Sequence, residues 1–295
     1  MTVISCIDVN KNYRHHRANE DVSFSVKENT ITGVIGRNGA GKTTLLKMIA
    51  GYLRPTSGDI TVFQKHPYNS LTVSYNRIFV DDQMVFPASF NLANIIDMCQ
   101  DFYPNFDRKF AYNLIDYFEL PLKRTQYELS KGQKSSLHFI VGLAARCPLT
   151  IFDEPTTGMD STVRKDFYRA LLKDYIAHPR TILLSSHQIQ EIEHLLEDVL
   201  ILDHGKLLMH ESIDDLRAYA LKVSGDAQLV KKVTAERDII YEERIGNNEL
   251  NVIIKNDGSF QTYDDRISTE GLPVHELLSY VTKKRKGGID DVFHK

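Results

Sequence analysis

The chain has 295 residues, of which 42% are hydrophobic and 25% are charged, and its formal net charge is −3. This composition is typical of a globular protein with one ordinary domain and a smaller one, and the charge gives no case for a nucleic-acid partner. The first residues lack a long apolar core, and the longest apolar run, FIVGLAA, is far shorter than the roughly 20 residues of a membrane helix. We therefore expect no signal peptide and no membrane span, and three widely spaced cysteines favour a reducing compartment.

Patterns of buried strands and helices alternate along the chain. VISCIDVNKNY and DVSFSV predict early strands, and TITGVIG predicts a buried strand that leads through a glycine-rich turn into the helix KTTLLKMIAGYL. Helices are predicted over about residues 91–119, with an interruption at YPNFD, and PLTIFDEP and RTILLSSH predict two more buried strands. This order predicts an α/β fold with a parallel sheet, and the mixed short elements after about residue 217 predict a small α+β appendage.

The segment GRNGAGKT matches a phosphate-binding loop that lies between a predicted strand and a predicted helix. Gly36 and Gly41 allow backbone N–H groups to surround an anion, Lys42 directs a positive charge at the β- and γ-phosphates, and Thr43 offers a hydroxyl to Mg²⁺. The remaining phosphate contacts are expected from Arg37, Asn38, Gly39, Ala40 and Thr44. A guanine-reading N-K-x-D motif is missing, since NKNY fails at its last position. The loop predicts a P-loop nucleotide hydrolase.

Two acids and a histidine follow later buried strands. Asp153 and Glu154 end the strand in LTIFDEPTTGMD, at the sheet edge where the phosphate loop is also expected. Asp153 is predicted to hold Mg²⁺ through water and Glu154 to polarise the attacking water; a structural acid pair at a helix N-terminus is the alternative. His187 ends the strand in LLSSHQIQE, from which it would reach the γ-phosphate.

The motifs GRNGAGKTT, LSKGQ and TIFDEPTTGMD, followed by the histidine, resemble the ATP-binding subunits of ABC transporters. The resemblance covers about residues 1–217. It implies a P-loop ATPase domain with a Rossmann-like parallel sheet, an antiparallel β portion and a helical subdomain at about residues 84–146. Residues 218–295 would form a C-terminal accessory domain, whose segment KGGIDDVF is similar to the tail of many exporter ATPases.

The same resemblance assigns further residues to the nucleotide. Tyr13 would stack on the adenine, and an ordinary strand aromatic is the alternative. Asp160 matches the acid of the loop that follows the two catalytic acids. In this family a residue just before the helical subdomain contacts Mg²⁺ or the lytic water. Alignment from the preceding strand assigns this role to Asp82, whereas the residue type assigns it to Gln83. Both assignments stay open.

The stretch YELSKGQKSS raises a separate question, because it opens a helix far from the phosphate loop. Ser130 is a good N-cap residue, and a helix N-terminus favours an anion. The resemblance implies that Ser130, Gly132 and Gln133 contact the γ-phosphate of an ATP held by a second subunit. Gly132 would then have no room for a side chain beside the phosphate, whereas Lys131, which replaces the usual first glycine of the motif, could extend its stem into solvent.

The resemblance implies an ATPase subunit that uses ATP and Mg²⁺, forms a homodimer or heterodimer, and binds a separate membrane-spanning permease subunit. The segment from FYPNFD to KSSL resembles a bacterial exporter-type subgroup, so the protein is expected to be cytoplasmic and peripheral on the inner face of the cell membrane. Two rival functions are a soluble ABC ATPase in a nucleic-acid or ribosome process and a degenerate regulatory subunit. The intact Lys42, Glu154 and His187 speak against the second rival, and the run KKRK is interpreted as a solvated charge run.

The resemblance also suggests where the membrane subunit docks. The stretch from about Met84 to Pro104 follows the position at which this family contacts its partner. Phe86, Phe102 and Tyr103 are predicted to be exposed there. The alternative is that these aromatic side chains fill the core of the helical subdomain.

Overall fold

A computed structural model describes residues 1–246, 248–261 and 264–281. The chain divides into two units between His210 and Glu211, whereas the sequence predicts a boundary after residue 217. Within the described residues, no helix has both the length and the apolar character that a membrane span requires. The segments KKRK and KGGIDDVF lie outside the described residues.

The elements have the following bounds. The strands are β1 (Thr2–Tyr13), β2 (His16–Lys27), β3 (Ile31–Ile35), β4 (Ser57–Val62), β5 (Arg77–Val80), β6 (Leu149–Asp153), β7 (Thr181–Ser186), β8 (Asp198–Asp203), β9 (Lys206–Ser212), β10 (Ala220–Asp226), β11 (Ile239–Ile245), β12 (Glu249–Lys255) and β13 (Ile267–Gly271). The helices are α1 (Lys42–Ile49), α2 (Leu71–Tyr75), α3 (Leu92–Phe102), α4 (Arg108–Tyr117), α5 (Lys131–Ala144), α6 (Ser161–Ala177), α7 (Ile189–Ile192), α8 (Ile213–Ala218), α9 (Ala227–Thr234) and α10 (Val274–Val281).

A six-stranded sheet with the order β5-β6-β7-β3-β8-β9 forms the centre of the first unit. The neighbouring strands from β5 to β8 run parallel, and β3, β6 and β7 are buried along their whole length, as expected for apolar strands of a parallel sheet. The carboxyl ends of parallel strands meet at one edge, so the segments that follow β3, β6 and β7 become neighbours there. The predicted parallel α/β sheet is confirmed.

A second sheet of the first unit, with the order β2-β1-β4, is antiparallel. Its apolar side chains share one core with those of α1, the helix that follows the phosphate loop, and with side chains of the parallel sheet. Burial of this shared core fixes α1 between the two sheets. The antiparallel β portion predicted from the family resemblance is therefore confirmed.

The helical subdomain contains α3, α4 and α5. Each of these helices begins at a polar cap: the side chains of Asn91, Asp107 and Ser130 accept hydrogen bonds from backbone N–H groups in the first turn. The cap at Asp107 explains why the helical stretch is interrupted at YPNFD, as predicted. Phe139 of α5 stacks on Phe152 of β6 with 4.7 Å between ring centroids, which joins this subdomain to the sheet.

One expectation about the helical subdomain is wrong. Phe86 is buried, because its ring meets the edge of His138 and its backbone carbonyl accepts a hydrogen bond of 3.1 Å from the Gln126 side chain. Tyr103 is half-buried. Phe102 is 74% exposed, as predicted, so it is an apolar side chain of this stretch that faces solvent.

The second unit contains an antiparallel sheet with the order β11-β12-β10-β13. Val230 of α9 packs in a small core with Val223 of β10 and with Leu250 and Val252 of β12. The helix therefore covers one face of the sheet, and its apolar residues recur at helical spacing. This arrangement confirms the predicted small α+β appendage.

Three charged residues form a buried cluster in the first unit. Asp174 of α6 lies 2.8 Å from Arg146 Nη2 and 2.9 Å from Arg180 Nη1, and the side chains of Asp174 and Arg180 are nearly inaccessible to solvent. Arg146 also lies 3.0 Å from Asp107. Removal of one partner from a buried ion pair leaves an uncompensated charge, which is far more costly than loss of a surface pair.

We predict that Asp174→Ala lowers the free energy of unfolding by about 3 kcal/mol, because Arg180 then stays buried without its counter-ion. The matched control is Asp97→Ala, which removes the same type of side chain from the exposed pair with Arg108. Urea unfolding checks both variants. Equal losses in the two variants would mean that the buried cluster contributes no more than a surface pair.

Candidate nucleotide-binding site

The predicted phosphate loop connects β3 to α1, and Lys42 is the first residue of that helix. Gly39 and Gly41 have positive φ angles of 82° and 100°, a conformation that favours glycine. A Cβ atom at Gly41 would lie 2.3 Å from the carbonyl oxygen of Ala18. Position 41 therefore requires glycine for two reasons, its backbone angle and the close approach of β2.

Lys42 and Glu154 form an ion pair across the site, with 3.1 Å between Nζ and Oε1. Lys42 is buried, and its Nζ also donates a hydrogen bond of 2.7 Å to the carbonyl oxygen of Gly36. The second carboxylate oxygen of Glu154 lies 3.3 Å from Nδ1 of His187. Glu154 thus contacts each of the other two residues predicted for catalysis.

Ser185 bonds to both predicted acids, and sequence reasoning missed it. Its hydroxyl donates to Asp153 Oδ1 at 2.7 Å, and its Oγ accepts from the backbone N–H of Glu154 at 2.8 Å. Glu154 has a φ angle of +46°, so the chain turns sharply at the end of β6. The serine pair in LLSSH, on the strand that neighbours the acids, is the signal that could have identified this residue.

Asp153 is buried at the end of β6. Burial raises the pKa of its carboxyl group, and hydrogen bonds from the hydroxyls of Thr43 and Ser185 oppose that rise because they stabilise the charged form. The contact with Thr43 joins the predicted metal-binding acid to the predicted metal-binding hydroxyl. Both oxygen donors therefore occupy one place beside the phosphate loop.

A cleft of about 460 Å³ lies over the loop. The predicted residues that line it are Tyr13, Asn38, Gly39, Ala40, Gly41, Lys42, Thr43, Thr44, Asp82, Asp153 and Glu154. His16 also lines the cleft, opposite Tyr13 in the hairpin of β1 and β2, and was missed because its placement depends on strand register. Gly36 is buried and faces the backbone of Leu202, while Arg37 is exposed.

The segment after β5 contains Asp82 and Gln83, the two candidates for the residue that contacts Mg²⁺ or the lytic water. Asp82 lines the cleft, and Gln83 donates a hydrogen bond of 3.1 Å from its side-chain amide to Asp82. Asp81 lines the cleft as well and lies 3.3 Å from the ammonium group of Lys47 in α1. This last contact was not expected, because the strand pattern alone does not show which helix faces Asp81.

The motif LSKGQ at residues 129–133, called the signature motif below, lies in a different cleft, of about 500 Å³. Ser130, Gly132 and Gln133 of this motif help to line the cleft, together with Asp160. Ser130 and Gln133 form a reciprocal capping box at the start of α5, with hydrogen bonds of 3.0 and 3.3 Å. Asp160 caps α6 by accepting from backbone N–H groups of its first turn. These residues do not share the cleft of Lys42, as expected if they serve another nucleotide.

The structure adds a second physical reason for glycine at position 132. A Cβ atom there would lie 2.7 Å from the carbonyl oxygen of Gly158 in the same chain, so the glycine is already required by packing within one subunit. Lys131 is exposed, but its stem packs beside Gly158: a Cβ atom at Gly158 would lie 3.0 Å from Lys131 Cγ. The stem is therefore not simply extended into solvent.

Family models match the part of the chain that carries this geometry. The model described as "ABC transporter" matches residues 19–157, which include the phosphate loop, the signature motif and both acids. A model described as an AAA domain and putative AbiEii toxin of a type IV TA system matches residues 122–193 and overlaps the first.

Known relatives cover about two thirds or more of the chain. The ABC transporter ATP-binding protein YtrB of Bacillus subtilis is 31% identical over 208 residues, or 69% of this chain and 70% of YtrB. The bacitracin transport ATP-binding protein BcrA of Bacillus licheniformis is 30% identical over 235 residues, or 73% of this chain and 72% of BcrA. A dimeric ATP-binding cassette solved in a post-hydrolysis state with ADP and Pi has the same fold, with a TM-score of 0.63 and 21% identity over 71% of this chain and 98% of that chain. On this evidence, together with the intact phosphate loop and acids and a signature motif that is altered at Lys131, the chain belongs to the ATP-binding subunits of ABC transporters and is an ABC-type ATPase.

Proposed function

We propose that this ATPase powers an exporter by closing as a dimer on a separate membrane-spanning subunit. The observation that carries the hydrolytic step of this proposal is the direct contact of Glu154 with both Lys42 and His187 at the edge of the parallel sheet. A relative named for bacitracin transport supports export, since an antibiotic is a cargo that cells expel. The protein would then act on the inner, cytoplasmic face of the cell membrane as a peripheral subunit.

The Lys42–Glu154 ion pair suggests how nucleotide binding prepares hydrolysis. A triphosphate in the loop carries more negative charge than one carboxylate, so it competes effectively for the buried Lys42. Glu154 is then released to orient and deprotonate the attacking water. His187 stays beside the other carboxylate oxygen of Glu154. This contact limits the rotation of the Glu154 side chain toward the γ-phosphate.

Thr43 and Asp153 fit Mg²⁺, because both offer oxygen donors and contact each other beside the phosphate loop. Mg²⁺ takes few protein ligands and keeps water and substrate phosphates as the others. These two residues would hold the ion, with Asp82 or Gln83 as the nearby third contact. When bound, Mg²⁺ neutralises charge on the β- and γ-phosphates.

A complete hydrolysis site would combine two subunits. The cleft of Ser130, Gly132 and Gln133 is separate from the cleft of Lys42, so one chain presents two halves of a site rather than a whole one. In the dimer, the N-terminus of α5 from one subunit would contact the γ-phosphate held by Lys42 of the other. The dimeric state of the cassette solved with ADP and Pi supports this arrangement.

We predict that Glu154→Gln lowers the ATP turnover rate by about 10²–10⁴-fold, the loss typical of a missing general base. ATP affinity should rise slightly, since glutamine no longer competes with phosphate for Lys42. Steady-state hydrolysis and nucleotide titration check the two effects. Glu191→Gln is the control, because Glu191 pairs with Arg164 rather than with Lys42; turnover near wild type in Glu154→Gln would remove Glu154 from catalysis.

We predict that subunits carrying Lys42→Ala and Ser130→Asp are each inactive alone but recover part of the activity when mixed. Aspartate keeps the cap of α5 while its charge repels phosphate, which avoids the clash that any side chain at Gly132 would cause. The mixed dimer contains one site with Lys42 and Ser130 both intact. Ser130→Asn, an uncharged cap of similar size, should lose less activity. A mixture that dimerises and stays inactive would show that the signature residues act within their own chain.

We predict that the double variant Val85→Asp and Phe102→Asp releases the protein from membranes that contain its permease, without slowing the ATPase of the isolated subunit. Both side chains are more than 70% exposed, at 72% and 74%, so charge there costs little stability but opposes an apolar interface. Co-sedimentation checks the prediction. The control is Ile176→Asp, an equally exposed apolar side chain on α6; membrane association that survives the double variant places docking elsewhere.

A further inference from the structure

Helix α5 contacts the loop that carries Glu154 through a buried serine. Ser135, in the second turn of α5, is buried, and its hydroxyl donates a hydrogen bond of 2.7 Å to the backbone carbonyl of Thr157. Thr157 stands three residues after Glu154 and lines the cleft of Lys42. A side chain of α5, the signature helix, thus supports the nucleotide cleft of its own chain.

Thr157 in turn holds the backbone of Glu154. Its hydroxyl donates to the carbonyl oxygen of Glu154 at 2.9 Å, and its N–H donates to the same oxygen at 3.3 Å. The N–H of Glu154 is held on the other side by Ser185. Glu154 has a left-handed backbone, which a non-glycine residue keeps only where its surroundings impose it. The contact with Ser135 anchors this turn to α5.

Close packing reinforces the same connection. The carbonyl of Gly158 approaches Gly132 so closely that a Cβ atom there would lie 2.7 Å from it, and the stem of Lys131 packs beside Gly158. Both contacts join the first turn of α5 to the loop after Glu154. A shift of α5 is therefore transmitted to this loop rather than absorbed by a gap.

We infer that Ser135 is a positioning residue for hydrolysis, which couples the signature helix of a subunit to Glu154 of that same subunit. The inference rests on the proposed dimer, in which α5 contacts the nucleotide of the partner subunit. The phosphate that α5 meets in one site then acts, through Ser135 and Thr157, on the placement of Glu154 in the other site. Ser135 touches no substrate and works through the loop alone.

The next residue provides a matched control. Ser136 is also buried, and its hydroxyl donates to the carbonyl oxygen of Gly132 in its own helix at 3.0 Å. Ser136→Ala deletes the same atom as Ser135→Ala from the same helix but leaves the bond to Thr157 intact. We expect Ser135→Ala to lower kcat on the order of tenfold with an unchanged affinity for ATP, the loss that one buried hydrogen bond supports, and Ser136→Ala to stay within twofold of wild type.

A readout without nucleotide separates positioning from a loss of folding. Amide hydrogen exchange in residues 154–160 should speed up in Ser135→Ala and not in Ser136→Ala, while both variants keep the thermal midpoint of wild type within a few degrees. Unchanged exchange in this loop, together with unchanged kcat, would overturn the inference.

Mixed dimers with one working site identify the site on which Ser135 acts. One subunit carries Glu154→Gln, so hydrolysis occurs only with Glu154 of its partner. Ser135→Ala is then placed either in the partner, which supplies the working Glu154, or in the Glu154→Gln subunit, which supplies the signature helix of the working site. We expect the loss of kcat in the first arrangement and wild-type-like turnover of the single site in the second.

The opposite pattern would show that Ser135 acts through the signature motif across the interface, and it would overturn the inference. A failure of the proposed dimer can be distinguished from a failure of this inference. Without a dimer, mixtures of wild-type and Glu154→Gln subunits would elute at the size of a monomer, and their turnover would depend only on the fraction of wild-type chains. Single-chain measurements on Ser135→Ala still decide the inference in that case through kcat and amide exchange.

Discussion

The ion pair between Lys42 and Glu154 joins the two loops on which the site depends. Lys42 is buried, and a buried ammonium group needs a counter-charge and hydrogen-bond acceptors close by. The order of strands supplies them: β7 lies between β6 and β3, so its end contributes Ser185 and His187 between the acids and the phosphate loop. The groups that compensate the charge of Lys42 are therefore placed by the strand order of the sheet.

The chemistry of this site could be predicted from sequence because phosphate binding imposes a strict local pattern. Glycine spacing, Lys42 and the acids after a buried strand are each recognisable within a few residues. Contacts that depend on the placement of distant segments could not be read in this way. The bridge from Ser185, the position of His16 opposite Tyr13 and the pair of Asp81 with Lys47 follow from strand order and register, which the motifs do not contain.

The error at Phe86 has the same origin. Its neighbours, Gln126 and His138, lie 40 residues or more along the chain, and their approach depends on how α5 packs. An aromatic residue in a polar stretch gives no local sign of whether it is exposed. Gly132 shows a related problem: the phosphate gave one reason for a glycine, but the close approach of Gly158 in the same chain is a second reason that the motif does not reveal.

Helix α5 is fixed to both loops of its own cleft by two polar side chains three residues apart, which a helix places on one face. Ser135 donates to the carbonyl oxygen of Thr157, and His138 Nδ1 lies 3.2 Å from the carbonyl oxygen of Asp81, the residue before Asp82. A carbonyl only accepts, so Nδ1 carries the proton in this contact, and burial lowers the pKa of His138 because it disfavours the charged ring. Both side chains are buried, and loss of either of these two hydrogen bonds would leave a buried polar atom without its partner. A displacement of α5 must therefore either move both loops with it or break two buried hydrogen bonds. When both loops move with the helix, the displacement reaches the nucleotide cleft.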